Sequence, residues 1–208
     1  MLFVSHNMAA INRLCQRGMW LDQGRLQMTG VAEDVVTAYL LSGTEAEGER
    51  RWENLEEAPG NEKIRLCAVL VLNSDSEERS TLDRRSSFRV KIEYDILHPF
   101  SELRVGFALL TADGTIAFCS HDSADESWQS KPREPGSYVS TCTIPGLLLN
   151  SGLYTLLISA DIPFVEVFFW VEDVLRFQIE ETGELGGPYH DRPPGVVRPI
   201  LQWHISKL

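Results

Sequence analysis

The sequence has few cysteines, little positive charge and no long hydrophobic run, and each shortage excludes a class of protein. None of the four cysteines in 208 residues has C-x-x-C spacing, so neither a zinc site nor a redox motif is indicated. No stretch reaches the ~18–20 apolar residues that span a bilayer. Lys and Arg total 19 against 30 Asp and Glu, a net charge of −11, which argues against a non-specific nucleic-acid binder.

What is present indicates a globular protein with an internal boundary. Hydrophobic content of 43% and charged content of 24% are ordinary for a folded domain. Residues 45–62 hold seven acidic and two basic residues, whereas residues 1–44 hold three of each. We therefore predict three segments: a first unit at 1–44, an acidic solvated linker at 45–62, and a complete domain at 63–208. Trp52 is the exception in the linker and is expected to anchor it to the next domain.

The first 44 residues predict a small α+β unit. Apolar spacing indicates helices at 8–16 and 33–41, with a β-hairpin at 19–28 between them. Gly24 provides the positive φ that the hairpin turn needs, and Gly30 is expected to interrupt the chain again. A unit of 44 residues cannot bury enough apolar surface to offset the loss of chain entropy on folding. We therefore expect residues 1–44 to be the end of a larger domain.

Residues 63–208 predict a mainly β fold, an Ig-like antiparallel β-sandwich of about eight strands. Residues 87–96 alternate strictly between apolar and polar side chains, which is typical of a strand with one buried face. Asp113-Gly114 predicts a tight turn between two strands. The eight predicted strands are residues 64–72, 87–96, 103–110, 115–121, 137–144, 153–161, 174–180 and 196–205.

The run Leu149-Asn150-Ser151-Gly152-Leu153-Tyr154 fits a tyrosine corner, in which a Tyr hydroxyl bonds back to the backbone at a sandwich edge. The alternative is that Tyr154 is an ordinary core aromatic. The sequence has no Cys…Trp…Cys spacing, so the domain is Ig-like in architecture and not of the antibody type.

Motifs along the chain resemble a known family. Phe3-Val4-Ser5-His6 looks like the switch-histidine strand of an ABC-transporter ATPase domain, and Leu21-x-x-Gly24-x-Leu26-x-x-x-Gly30 looks like the hairpin after it. Residues 195–203 look like the closing strand of a C-terminal sandwich. Together they resemble the Wzt-type ATPase subunit of exporters of O-antigen and other cell-surface polysaccharides.

The resemblance implies a polysaccharide-binding sandwich behind the end of an ATPase domain. His6 matches the switch histidine, but the sequence holds no G-x-x-x-x-G-K-[ST] loop. We therefore expect no catalytic site and no cofactor in this chain, since ATP and Mg²⁺ belong to the full-length family. A truncated gene, an internal start or a fragment would explain Met1 within that strand. The implied partners are the polysaccharide, a second copy pairing through 196–205, and a transmembrane permease. The resemblance places the chain in the cytoplasm, held at the inner face of the membrane by the transporter.

The residues expected to contact sugar are aromatics outside the core periodicity and polar groups near them. Trp128 either contacts sugar or folds onto the sheet edge, and the aromatics of 164–170 either cap the sandwich or form a contact patch. On the last strand, Arg198, Gln202 and His204 form a polar row that is either solvated or sugar-binding. The candidates are His121, Trp128, Phe169, Trp170, Tyr189, His190, Arg198, Gln202 and His204. No paired carboxylates or nucleophile motif indicate a hydrolase. The alternative function is a sandwich that dimerises the transporter ATPases and binds no sugar.

Overall fold

The computed structural model describes residues 2–5, 8–42, 48–54, 56–128, 131–181, 195–199 and 204. Most of these residues are in β-strands, and the sandwich that they form confirms the expected fold class. The elements are α1 (Met8–Leu14), β1 (Arg17–Asp22), β2 (Arg25–Val31), α2 (Ala32–Ser42), β3 (Glu49–Arg51), β4 (Ile64–Leu72), β5 (Thr81–Asp83), β6 (Phe88–Ile96), β7 (Arg104–Thr111), β8 (Ile116–His121), β9 (Gly136–Ile144), β10 (Gly152–Ile162) and β11 (Glu166–Glu180).

The N-terminal unit contains the two predicted helices and the predicted hairpin. Strands β1 and β2 pair around Gln23 and Gly24, whose φ values of 46° and 76° match a two-residue hairpin turn with positive φ at both positions. Helix α2 covers the hairpin with the buried side chains of Val35 and Val36. Gly30 lies within β2 and does not interrupt the chain, because it pairs with Gly18 directly across the hairpin.

The sandwich consists of a four-stranded sheet, ordered β3-β4-β6-β9, and a five-stranded sheet, ordered β5-β11-β10-β7-β8. Every pairing is antiparallel except that of β5 with β11. The core lies between the sheets and contains the alternating apolar residues of β6, as predicted. Strands β8 and β9 end their sheets on the same side of the sandwich, since Ser140 of β9 bonds Asp122 just after β8.

The prediction of a solvated linker is wrong for part of residues 45–62. Strand β3 pairs with β4 from Glu49 to Arg51, and these residues belong to the four-stranded sheet. Their charged side chains fit an edge strand, where they bond to neighbours at the surface, as Arg51 does to Glu93 at 2.8 Å. The anchoring role of Trp52 is confirmed, because its side chain packs against the core and its amide donates to Cys67 O.

Two boundaries near the C-terminus also differ from the prediction. The aromatic run 168–170 was expected in a connection, but it lies in β11, which begins at Glu166. Register shifts against β10 break the alternation there, so two consecutive phenylalanines are buried. Of the predicted strand 196–205, Val197 forms a bridge with Leu149, and residues 200–203 and 205 lie outside the described residues.

The tyrosine corner is confirmed. The Tyr154 hydroxyl is buried and donates to the carbonyl oxygen of Asn150 at 2.9 Å, four residues back along the chain. The Asn150 side chain in turn donates to Gly195 O at 2.9 Å, which ties residue 195 to the same corner.

Replacing Tyr154 by phenylalanine is expected to lower the free energy of unfolding by about 1 kcal/mol, because it leaves a buried carbonyl without its donor. Tyr138→Phe is a matched control, since Tyr138 also donates to a carbonyl four residues back, but at the surface. Urea denaturation of both variants should show a larger loss for Tyr154→Phe. An equal loss in the two variants would contradict the buried corner.

Candidate ligand-binding cleft

A cleft of about 330 Å³ opens at the side of the sandwich where β8 and β9 end the two sheets. Its inner wall is apolar and comes from β6 and β7, whose side chains form the adjoining core. Its mouth is polar and aromatic and comes from β8, β9 and the loop between them. The inner wall includes Val90, Ile92, Val105 and Phe107, and the mouth includes Asp122, Trp128, Arg133, Tyr138 and Ser140.

A buried ion pair organises the polar side of the cleft. One carboxylate oxygen of Asp122 accepts the Val105 amide at 2.9 Å. The other accepts the Ser140 hydroxyl at 2.6 Å and Arg133 Nη1 at 2.9 Å. Arg133 is only 6% exposed, and the same Nη1 also donates to the Tyr94 hydroxyl at 2.5 Å. Within the described part of the chain, Nε and Nη2 of Arg133 have no acceptor, so the guanidinium keeps donors for a ligand.

Burial and pairing fix the protonation states in this network. Burial alone would lower the pKa of Arg133, but the hydrogen bond and the charge of Asp122 outweigh it and raise the pKa above its usual value. Burial raises the pKa of the Tyr94 hydroxyl as well, although its hydrogen bond with Ser140 opposes this increase. At neutral pH the cleft therefore presents a guanidinium and a neutral phenol side by side.

Trp128 forms the rim of the cleft. It ends a short 3₁₀ turn, Glu126–Trp128, and its side chain is 42% exposed. Its indole meets Tyr138 edge to face at 6.0 Å between ring centroids, and Arg133 Cζ lies 5.8 Å from the ring centroid. These contacts hold an exposed aromatic ring in a fixed orientation beside buried hydrogen-bond donors, which is how proteins combine apolar contact with polar specificity.

The chain is similar to known proteins over most of the sandwich. The family model described as Wzt C-terminal domain matches residues 56–190. The chain belongs to the Wzt C-terminal domain family. A crystal structure of the C-terminal domain of Wzt superposes with a TM-score of 0.56 at 14% identity, covering 79% of this chain and 90% of that one. The resemblance stated from the sequence is thereby confirmed.

A curated relative, the O-antigen export system ATP-binding protein RfbB of Klebsiella pneumoniae, is 45% identical over 38 residues. The match covers 18% of this chain and 15% of that relative's length. In the described residues of this Wzt-family chain, no helix is long and apolar enough to cross a membrane. The same residues contain no group of three or more His, Cys, Asp or Glu side chains suited to a metal ion.

The candidates predicted from sequence are dispersed over this Wzt C-terminal domain. Trp128 and His121 line the cleft, whereas Trp170 is exposed on the outer face of the five-stranded sheet. The prediction that Phe169 contacts sugar is wrong, because the irregular register of β11 directs its side chain into the core. Arg198 pairs with Glu181 at 3.0 Å, and His204 is exposed. Candidates outside the described residues are His6, Tyr189, His190 and Gln202.

Sequence reasoning missed most of the polar groups of the cleft. Tyr94 has the alternation of a core residue, and nothing in its spacing shows that its hydroxyl reaches Arg133. Arg133 stands between two prolines without periodicity, so its sequence gives no sign of burial. Only Ser140 could have indicated the network from sequence. It lies on the inward side of β9, where a polar side chain needs a hydrogen-bond partner.

Proposed function

We propose that this chain recognises a polysaccharide for an O-antigen export ABC transporter and that the cleft holds one of its sugar residues. The observation that carries the proposal is the exposed Trp128 indole fixed beside the buried Arg133–Asp122 pair. A pyranose has an apolar face that stacks on an aromatic ring and hydroxyls that need donors and acceptors. The cleft offers both, together with an apolar inner wall.

The proposal extends to the setting of the chain. The chain would act at the cytoplasmic face of the membrane, beside a transmembrane permease and as a pair of copies, holding the glycan near the transporter. We propose no ATP hydrolysis by these 208 residues, since the sequence holds no phosphate-binding G-x-x-x-x-G-K-[ST] loop.

Replacing Trp128 by alanine is expected to weaken glycan binding by about tenfold or more, because aromatic anchors of this kind contribute most of a site's binding energy. Isothermal titration calorimetry with O-polysaccharide purified from the source strain measures the change. Phe164→Ala is the control, since Phe164 is a fully exposed aromatic at the β10–β11 turn, outside the cleft lining. Unchanged affinity of Trp128→Ala would contradict the assignment of the cleft.

The alternative is an interaction module without sugar binding, and one observation favours it. Phe164, Val165 and Val167 are largely exposed at the β10–β11 turn, where an apolar patch suits a protein contact. Sedimentation velocity beside the calorimetry separates the two functions. If the chain dimerises but binds no O-polysaccharide, the proposed function is wrong and the interaction module is the correct function.

A further inference from the structure

We propose a second glycan-binding surface on the outer face of the five-stranded sheet, a trough that holds an extended stretch of a neutral polysaccharide. The inference rests on the proposed function, because it assigns a further contact area for the same polymer. The trough is defined by Gly106, Ala108, Leu157 and Ser159 as its floor, by His121 on one side and by Trp170 on the other.

The strand register places these residues on one face. Trp170 of β11 lies opposite Ser159 of β10, Ser159 lies opposite Gly106 of β7, and Gly106 lies opposite His121 of β8. Residues directly opposite in antiparallel strands project to the same side. Ile158 and Ala160 next to Ser159 face the core, so this row faces outward. Three strand spacings separate the ends of the row, roughly 14 Å.

The centre of this row is low because its residues are small. Gly106 has no side chain, and a Cβ atom there would lie 2.6 Å from His121 Cδ2 and 2.3 Å from Ser120 O, so no larger residue fits. One step along the strands, Ala108 and Leu157 lie opposite each other and continue the floor, and both side chains are buried. The trough therefore runs along the strands between the side chains of β8 and β11.

The walls provide contacts suited to sugar. The Trp170 side chain is 59% exposed, and its ring N–H donates to Glu172 at 3.3 Å, which restrains the indole. Ser159 is 8% exposed, and its hydroxyl bonds to no residue in the described ranges, so its bonding capacity remains for a ligand. An indole wall, a hydroxyl floor and an imidazole wall match the apolar faces and hydroxyls of a sugar chain.

The charges around the trough favour a neutral polymer. Arg104 and Asp161 lie opposite each other in the row beside Gly106 and Ser159, and they form a two-contact ion pair at 2.5 and 2.6 Å. Their charges cancel, and Glu172 adds a negative charge beside Trp170. A polyanion would need an excess of basic side chains, which this face does not have.

The trough and the cleft meet at the end of β8. Ser120 and Asp122 line the cleft, and Gly106 and His121, which belong to the trough, also border the cleft. A polymer in the trough could thus continue across the end of β8 to the cleft. We expect the cleft to hold a short part of the glycan and the trough to hold the adjoining repeats.

Calorimetry with two probes tests this division: O-polysaccharide from the source strain and an oligosaccharide of one repeat unit released from it. Trp170→Ala is expected to weaken polysaccharide binding about tenfold and to change oligosaccharide binding less than twofold. Ser159→Val, which fills the floor beside the indole and removes the hydroxyl, should have the same pattern. Trp128→Ala should weaken both probes, and Phe164→Ala neither.

The outcomes separate the trough from the cleft. If Trp170→Ala and Ser159→Val bind both probes like the unmodified chain while Trp128→Ala binds neither, the trough is wrong and the proposed function stands. If the unmodified chain binds neither probe, the proposed function fails and the trough fails with it. Circular dichroism of each variant verifies that the sandwich is folded.

Discussion

Arg133→Ala is expected to lower the free energy of unfolding by about 3–5 kcal/mol, the usual cost of removing one partner from a buried ion pair. The guanidinium is buried, and without it the Asp122 carboxylate, which is 15% exposed, stays largely shielded from water but loses its charged partner. The Tyr94 hydroxyl loses a hydrogen bond as well. Denaturation in urea, followed by far-UV circular dichroism, measures the change.

Arg51→Ala is the matched control for this prediction. Arg51 pairs with Glu93 at 2.8 Å and with Glu49 at 2.6 Å, but its side chain is about half exposed. Exposed pairs contribute only about 0–1 kcal/mol, because water and salt screen them. Equal losses in Arg133→Ala and Arg51→Ala would show that the Arg133–Asp122 pair is not buried as described.

Phe177→Ala is expected to cost about 3–5 kcal/mol, because it leaves a cavity at the centre of the sandwich. The Phe177 side chain is fully buried in β11 of the five-stranded sheet. Its ring centroid lies 5.4 Å from that of Phe88 in the opposite sheet and 6.1 Å from that of Tyr154. The ring therefore connects the two sheets and the tyrosine corner.

Phe164→Ala controls for the loss of an aromatic ring as such. Phe164 is fully exposed at the β10–β11 turn, so its removal should change the free energy of unfolding by no more than about 0.5 kcal/mol. The same urea series measures both variants. A small loss for Phe177→Ala would contradict the packing of β11 against β6.

Local patterns predicted the parts of the fold that local chemistry determines. The strict alternation of β6 gave its position within one residue, because each apolar side chain there faces the same core. The hairpin at Gln23-Gly24 followed from turn chemistry, and the Tyr154 corner from a motif six residues long. In these elements the deciding contacts lie close together along the chain.

Long-range pairing determined what the sequence did not show. Strand β3 is short and charged, and it is a strand only because β4 offers an open edge. The first half of β11 lacks alternation because its register against β10 shifts twice. Asp122 and Arg133 come from the connection between β8 and β9, and their network is completed by Tyr94 of β6 and Ser140 of β9.

The outer-face row illustrates the same limit for sites. His121 and Trp170 could each be suspected from sequence as an exposed ring, but no spacing relates residues 49 positions apart. Gly106 and Ser159 gave no sequence signal, since a small residue in a strand has many explanations. Only the register of four strands shows that they form a floor between the two rings.

The measurement that tests the central claim most directly is a titration of the isotopically labelled chain with O-polysaccharide from the source strain, followed by amide and indole NMR. The account predicts that the largest shifts occur at the Trp128 indole and at the amides of Asp122, Arg133 and Ser140. Shifts confined to the N-terminal unit, or no shift at saturating polysaccharide, would contradict glycan recognition by this cleft.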